Sequence, residues 1–348
     1  MNSKIRGLSP FKGTRVDRIP MWYAGAEETT KNIINYLCAK TKDEALYDIL
    51  GIDYKYLSPK YIGKPMKKYD DGSFDTIWGI RRGGYHYGQA LNHPLSFAES
   101  YKDIDKYSFP DNNDWDFTLN DDELRKVKDF CVMSGTGSPF FHDTIELMGM
   151  EKFMLRMYDN PAMIEALIER CVDIYFEMNR RFYEVNQGAF DFVMWHNDFG
   201  SQNALLMSPT HWRKFFKPQL LKLVNLAHKH NILVALHSCG DIHEIIPDII
   251  EIGVDALNPI QVSAANMDPV ILEKEYGEDI VFFGAIDENE ILLHGSEERV
   301  REETRRIIDI FGKNGKYIVA ASHDFLLPEV PAKNICAMYD EARSVSQI

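Results

Sequence analysis

The 348-residue sequence predicts an α/β protein, a (β/α)8 barrel with an N-terminal elaboration, spanning residues 1–348 as one domain. Three observations carry this. In the second half, short apolar runs alternate with helical stretches five times, joined by short connections. The runs are near-continuously apolar, as expected of strands buried on both faces in a parallel sheet covered by helices. No Gly-x-Gly-x-x-Gly turn follows the first strand candidates, which removes support from the doubly wound dinucleotide-binding sheet. Gly135-x-Gly137, behind Phe130-Cys131-Val132-Met133, is too short a match.

Taken in order, Ile19-Pro20-Met21-Trp22 reads as a first barrel strand. A long insert rich in Tyr, Gly and Asp follows, with Asp70-Asp71-Gly72 as a hairpin turn between Tyr69 and Phe74. Phe130-Cys131-Val132-Met133 is the next strand. Asn160 and Pro161 open a helix whose apolar residues recur at helical spacing from Ile164 to Phe182, and Gly188 ends it. Phe192-Val193-Met194-Trp195 is a strand, and Ser208-Pro209 opens a helical segment that Pro218 must kink or split. Strands follow at 232–236, 255–260, 280–283 and 317–320. Helices lie between them, at 242–252, from Asp268-Pro269, and from Ser296 to Phe311, and a last helix runs over 331–344. Residues 1–130 hold the irregular elaboration, and no Ser/Gly-rich linker divides the chain.

Composition narrows the function. A formal charge of -14 with no basic block argues against a sequence-independent grip on nucleic acid or adhesion to an anionic membrane. Residues 1–10 carry no apolar core of a secretory signal, and no run approaches spanning length. Five cysteines in a chain this long make no disulfide framework, so a reduced, cytoplasmic protein is expected. The oligomeric state is not fixed by the sequence, and a homodimer is held open.

In parallel α/β folds, chemistry collects at the carboxyl ends of strands. Here those ends offer His196, Asn197, Asp198 and Gln202, then His237, Ser238 and Cys239, then Gln261, then Asp287 and Glu288, then Ser322, His323 and Asp324. Turn chemistry alone would be served by Gly, Asn and Ser. At a strand end, positions 237 and 239 point to the same side. An imidazole nitrogen and a thiolate together suit Zn²⁺, which ordinarily takes a third protein ligand. His323 is the first candidate for that ligand, with Asp198, Asp287 and His196 behind it. Cys336, among Ile335, Ala337 and Met338, reads as core.

These residues match a family. Asn197-Asp198-Phe199-Gly200-Ser201-Gln202, Ser208-Pro209-Thr210, Leu236-His237-Ser238-Cys239-Gly240-Asp241, Gly253-Val254-Asp255-Ala256-Leu257-Asn258-Pro259 and Gly284-Ala285-Ile286-Asp287 resemble the uroporphyrinogen decarboxylase superfamily, more specifically its cobalamin-dependent methyltransferase branch. Val330-Pro331-Ala332-Lys333-Asn334-Ile335 continues the pattern, as do Arg15-Val16-Asp17-Arg18-Ile19-Pro20, Asp71-Gly72-Ser73-Phe74, Trp78-Gly79 and His93-Pro94-Leu95. The resemblance covers almost the whole chain and implies a barrel with its site at the C-terminal face. True decarboxylases of this superfamily resemble one another in an Arg-containing segment after the first strand. This chain instead reads Pro20-Met21-Trp22-Tyr23-Ala24-Gly25-Ala26-Glu27-Glu28, where an anionic tetrapyrrole would meet like charge. The methyltransferase branch resembles a zinc site of the form His-x-Cys with a later Cys, and here His323 stands where the later Cys is expected.

The expected function is therefore a zinc-dependent methyltransferase. It would move a methyl group from a small methylated substrate, an aromatic methyl ether or a methylamine, to the corrinoid of a partner protein. Zinc is expected on His237, Cys239 and His323, with Asp198 and His196 as catalytic groups. Gln202, Asp287, His142, Tyr23 and Trp78 are expected to bind substrate, with Tyr85 a further candidate for an aromatic pocket. Three alternatives stay open: methyl transfer from a methylcobamide to a thiol, a metal-dependent lyase, hydrolase or decarboxylase, and a barrel that only binds.

Overall fold

The structure, a computed structural model, describes residues 1–84, 88–323 and 325–345; Tyr85, His86 and Asp324 lie outside the described residues. Seven parallel strands form one sheet: β1 (Tyr54–Leu57), β2 (Cys131–Ser134), β3 (Phe192–His196), β4 (Leu233–His237), β5 (Ala256–Ile260), β6 (Val281–Ile286) and β7 (Tyr317–Ala321). Each pairs in parallel with the next, in sequence order. Residues 20–22 supply the eighth stave. Trp22 N–H donates to Val319 O at 3.0 Å, Val319 N–H to Pro20 O at 2.9 Å, and Asp53 N–H to Met21 O at 2.9 Å. Those bonds join the two outer strands and complete the expected (β/α)8 barrel.

The strands anticipated from the apolar runs are all present, with 19–22 forming bridges rather than a continuous ladder. β1 is the stave that the pattern did not announce. Tyr54, Lys55, Tyr56 and Leu57 alternate in character, and Tyr56 is exposed, so the segment lacks the unbroken apolar run of its neighbours. Pro218 does split its helix, into Pro209–Phe215 and Lys217–Lys229. The 242–252 stretch divides into a 3₁₀ turn, His243–Ile245, and a short helix, Ile246–Glu251.

Alternation along the strands sorts two cores. Val193, Trp195, Val234, Leu236, Leu257, Phe282 and Val319 face outward and pack against the surrounding helices. Tyr54, Cys131, Met133, Phe192, Met194, Ala235, Ala256, Phe283, Ile318 and Ala320 fill the barrel itself. The helix Ser3–Lys12 floors that interior, with Leu8 and Phe11 packed on it. Its approach needs a glycine, because a Cβ on Gly7 would sit 2.4 Å from Cys131 Cβ. Below the strands, the buried Asp53 carboxylate is clamped by the Arg18 guanidinium, with bonds of 2.6 and 2.9 Å. Arg18 belongs to the Arg-Ile-Pro element, so that part of the motif serves the barrel's closure.

The elaboration is a small antiparallel sheet, Phe74–Asp75, Arg81–Gly83 and Gln89–Ala90, beside a two-stranded pair, Lys60–Tyr61 and Trp115–Asp116. The expected hairpin turn is present: Gly72, at φ +81°, donates its N–H to Tyr69 O, and Lys68 bridges Phe74. An Arg82–Glu146 ion pair and the packing of Trp78 on Tyr175 tie the ribbon to the helices Phe140–Met148 and Pro161–Val185. Among the described residues, no helix is long and apolar enough to cross a membrane.

Candidate functional site

Following the inward-facing positions upward along each strand, the apolar filling gives way to polar side chains. On β3 the sequence is Phe192, Met194, His196; on β4 it is Ala235, His237; on β5 it is Ala256, Asn258. Register sets His196 beside His237 and His237 beside Asn258, so the three share one layer at the carboxyl ends. The two imidazole rings lie 5.1 Å apart, centroid to centroid. His237 Nδ1 is 2.7 Å from Asn258 Oδ1 and must donate to it, because a carbonyl oxygen only accepts. That bond puts a proton on Nδ1 and turns Nε2 toward the mouth of the barrel, where it faces Asp198.

Two loops then meet above this layer. Asp241 N–H donates to Ser201 O at 2.7 Å and Phe199 N–H to Ser238 Oγ at 2.9 Å. The contact is backbone on backbone. A Cβ on Gly240, whose φ is +86°, would lie 2.5 Å from the carbonyl carbon of Gly200. This interlock brings Asp198 to the His-x-Cys pair. Cys239 N–H donates to Asp198 Oδ1 at 2.8 Å, the same oxygen lies 3.3 Å from His237 Nε2, and Cys239 Sγ is 3.5 Å from His237 Nε2. One ligand atom from each of Asp198, His237 and Cys239 falls within 4.8 Å of the others.

Asp198's second oxygen is 3.1 Å from His142 Nε2, and His142 Nδ1 is 3.2 Å from His196 O. Both nitrogens of His142 therefore face acceptors. Burial works against a charge on this ring, but the Asp198 hydrogen bond and charge outweigh it, and the pKa is raised. Burial likewise pushes the Asp198 carboxyl up, while hydrogen bonds from His142 and His237 overcome it and hold the group well below the usual carboxylate range. The arrangement can present a nitrogen, a sulfur and a carboxylate oxygen to one cation.

His323 stands outside this group. Its Nδ1 lies 3.1 Å from Phe325 O and 3.6 Å from Glu288 Oε2, and the third donor brought to His237 and Cys239 is Asp198. The sequence placed His323 first because it reads strand ends one at a time, whereas the Gly200–Gly240 contact that moves Asp198 inward is a matter of packing. Asp287 caps the turn that follows β6, accepting from Asn289 N–H at 2.8 Å and Glu290 N–H at 3.1 Å. Gln202 Oε1 accepts from Gln261 Nε2 at 3.0 Å, and Gln261 Oε1 accepts from Gly240 N–H, so both glutamines brace the His-x-Cys loop. Tyr23 and Trp78 are core residues, 7% and 4% exposed. Tyr23 bonds Thr30 Oγ1 at 2.9 Å, and burial pushes its phenol up to about 12. Their surface is taken up by packing rather than offered to a ligand. Asn258, the residue that orients His237, was not anticipated; a buried Asn paired in register with a strand-end His is the signal for it.

A parallel barrel with a nitrogen–sulfur–oxygen donor set at the carboxyl ends of adjacent strands defines a class, the (β/α)8 proteins whose mouth can hold a metal ion. Within that class, this chain belongs to the uroporphyrinogen decarboxylase family: the family model Uroporphyrinogen decarboxylase (URO-D) matches residues 96–345. The N-terminal motif elements of the resemblance lie ahead of that match. Among solved structures, a methyltransferase from Methanosarcina mazei is similar over 98% of this chain and 98% of its own, with a TM-score of 0.64 and 15% sequence identity. At that identity the likeness is one of fold. No curated relative matches the chain.

Proposed function

We propose that this protein is a zinc-dependent methyltransferase, and the observation that carries the reading is the Asp198–His237–Cys239 cluster. The donor set fits the ion. Imidazole, thiolate and carboxylate are the three ligand types that Zn²⁺ takes in proteins, and three protein ligands leave a position for substrate. The Asn258 bond at Nδ1 turns Nε2, the ring nitrogen that would bind, toward Asp198 and Cys239. When bound, zinc would supply Lewis acidity toward the heteroatom that carries the methyl group.

The chain's own residues do the rest. Asn258 holds the His237 ring in one tautomer. Cys239 N–H and His142 fix the two oxygens of Asp198, so the carboxylate is oriented before anything binds. His196, 5.1 Å from the His237 ring, lines the same layer. The methyl donor would be a small ether or amine, and the acceptor the corrinoid of a partner protein. Fold likeness to a methyltransferase supports this branch of the family. Glu27 and Glu28, exposed in the first turn of the helix after the first stave, speak against a polyanionic tetrapyrrole. No disulfide joins the cysteines among the described residues, in keeping with a reduced, cytoplasmic setting.

Metal analysis of the purified protein tests the reading. About one zinc per chain is expected, lost in His237→Ala and in Cys239→Ala. Zinc-loaded protein is then mixed with reduced corrinoid protein and methyl ethers or methylamines, and corrinoid methylation is followed by its absorbance. Wild-type protein that neither carries zinc nor takes it up would sink the proposal.

A further inference from the structure

The cluster at β3 and β4 leaves unused a second arrangement on the same rim, at the ends of β6 and β7. Glu288 begins a π-helical turn, Glu288–Leu292, directly after β6. Turns of this kind are rare and gather at functional sites. Just before it, Ala285 sits at φ +81°, a left-handed conformation that a residue with a side chain rarely adopts, and Gly284 at φ +122°. Glu288 is 5% exposed. Its Oε1 accepts from Leu327 N–H at 3.2 Å, and its N–H donates to Ser322 Oγ, but its buried Oε2 has no hydrogen-bond partner among the described residues. The group facing that oxygen is His323 Nδ1, 3.6 Å away. His323 is the outer member, with 38% of its side chain exposed, and its Nδ1 is also engaged by Phe325 O. Its Nε2 makes no hydrogen bond among the described residues.

A solvent-facing imidazole backed by a buried carboxyl is an acid–base couple: the imidazole exchanges protons, the carboxyl 3.6 Å away is an ion-pair partner for its charged form, and Phe325 O, 3.1 Å from Nδ1, holds the ring. We propose that His323 is the proton donor to the leaving group of the methyl-transfer reaction, with Glu288 as the residue that positions it. This rests on the methyltransferase reading above and gives His323 a role other than the metal ligation its spacing suggested. In the step, the bond between the methyl carbon and its oxygen or nitrogen breaks and its electron pair stays on the heteroatom. The methyl carbon bonds to an electron pair of the reduced acceptor. The Nε2 proton of the His323 imidazolium moves to the heteroatom, leaving a neutral ring whose Nδ1–H faces the Glu288 carboxylate, and water restores the proton. Burial, joined by the charges of Asp287 and Glu329, raises the Glu288 carboxyl to about 7. The unpaired Oε2 and the 3.6 Å separation stand independently of that value.

The test uses the full-length, zinc-loaded protein, with free reduced cobalamin as acceptor. Donors are anisole, 4-nitroanisole and 2,4-dinitroanisole. Anisole's leaving oxygen needs a proton, nitrophenolate needs one far less, and dinitrophenolate less still. His323→Gln and Glu288→Gln are compared with wild type, with zinc content and melting temperature measured for each. Expected is a loss of about a hundredfold on anisole for His323→Gln, shrinking to within about threefold on the other two donors, at unchanged zinc content. Glu288→Gln should show the same order of donors with a smaller loss. An equal loss on every donor, or zinc lost with His323→Gln, overturns the acid role and returns His323 to the metal. Wild-type protein inactive on all three donors overturns the methyl-transfer reading itself. If His323→Gln proves unfolded, the donor dependence of Glu288→Gln decides.

Discussion

Two carboxylates sit at opposite ends of this barrel, Asp53 buried and Asp198 half-buried, and their partners differ in kind. Asp53, at the bottom, is met by Arg18 at 2.6 and 2.9 Å, by Met21 N–H at 3.0 Å and by Arg6 at 3.3 Å. Asp198, at the mouth, is met by two imidazoles and a thiol-bearing residue's N–H. Guanidinium groups stay charged at any working pH and fork onto a carboxylate in one geometry. Imidazoles and thiols exchange protons and accept metal ions. A carboxylate held by the first kind of partner can only be a strut. Held by the second kind, it keeps a choice of protonation and ligation, which a reaction can use.

The largest effect that separates them is on stability. Asp53→Ala leaves two guanidinium groups facing a site built for a carboxylate, where breaking a buried pair costs about 3–5 kcal/mol. Chemical denaturation should show that loss, while zinc content per folded molecule stays at the wild-type value. A loss under about 1 kcal/mol would mean that the bottom of the barrel is not closed by this ion pair.

A smaller effect belongs to the mouth. Asn258→Ala removes the acceptor of His237 Nδ1–H and lets the ring turn and change tautomer. Removing such an outer partner costs about 10- to 100-fold in metal affinity. Competition with a chromophoric chelator measures this directly, and Asn258→Asp, which keeps the acceptor, should restore binding. Unchanged zinc affinity in Asn258→Ala would break the proposed division of labour between the two ends.

The same contrast decides what could be read from the sequence. The barrel was legible because β3 to β7 are buried on both faces, and unbroken apolar runs follow from that. The His-x-Cys pair was legible because alternation along an extended chain is a local rule. Asp198 as its partner was less so, since it depends on two glycines, Gly200 and Gly240, letting two loops approach within backbone contact. Tyr23 and Trp78 pack in the core, and the sequence could not say so because an aromatic has the same letters whether it faces a ligand or, as here, Thr30 and Tyr175. Arg18, though part of a motif element, gave no hint that its partner lay at Asp53, 35 residues on.

A further predicted effect is on pH dependence and comes from a third carboxyl, placed between the two extremes. Asp143, in the helix Phe140–Met148, is 7% exposed and accepts from Tyr175 O–H, with no cation bonded to it among the described residues. Burial, aided by the charge of Glu146, pushes it up to about 7 against the pull of Tyr175, His142 and Arg82. Unfolded, it returns to the ordinary range near 3.9. Between about pH 4 and pH 7 the folded chain therefore holds a proton that the unfolded chain releases, so this group's contribution is most favourable below that window and declines as pH rises through it. Glu288, also raised to about 7, acts with the same sign. Glu177, lowered to about 2 by Arg180 and Arg181, acts with the opposite sign at lower pH, so the useful quantity is a difference. Asp143→Asn keeps an oxygen acceptor for Tyr175 and removes the titration. Plotted against pH, the stability of Asp143→Asn minus that of wild type should rise from pH 4 to 7 and then level, by a few kcal/mol at most. A flat difference curve would place Asp143 with Asp53, as a charged strut, and not with the proton-exchanging groups of the mouth.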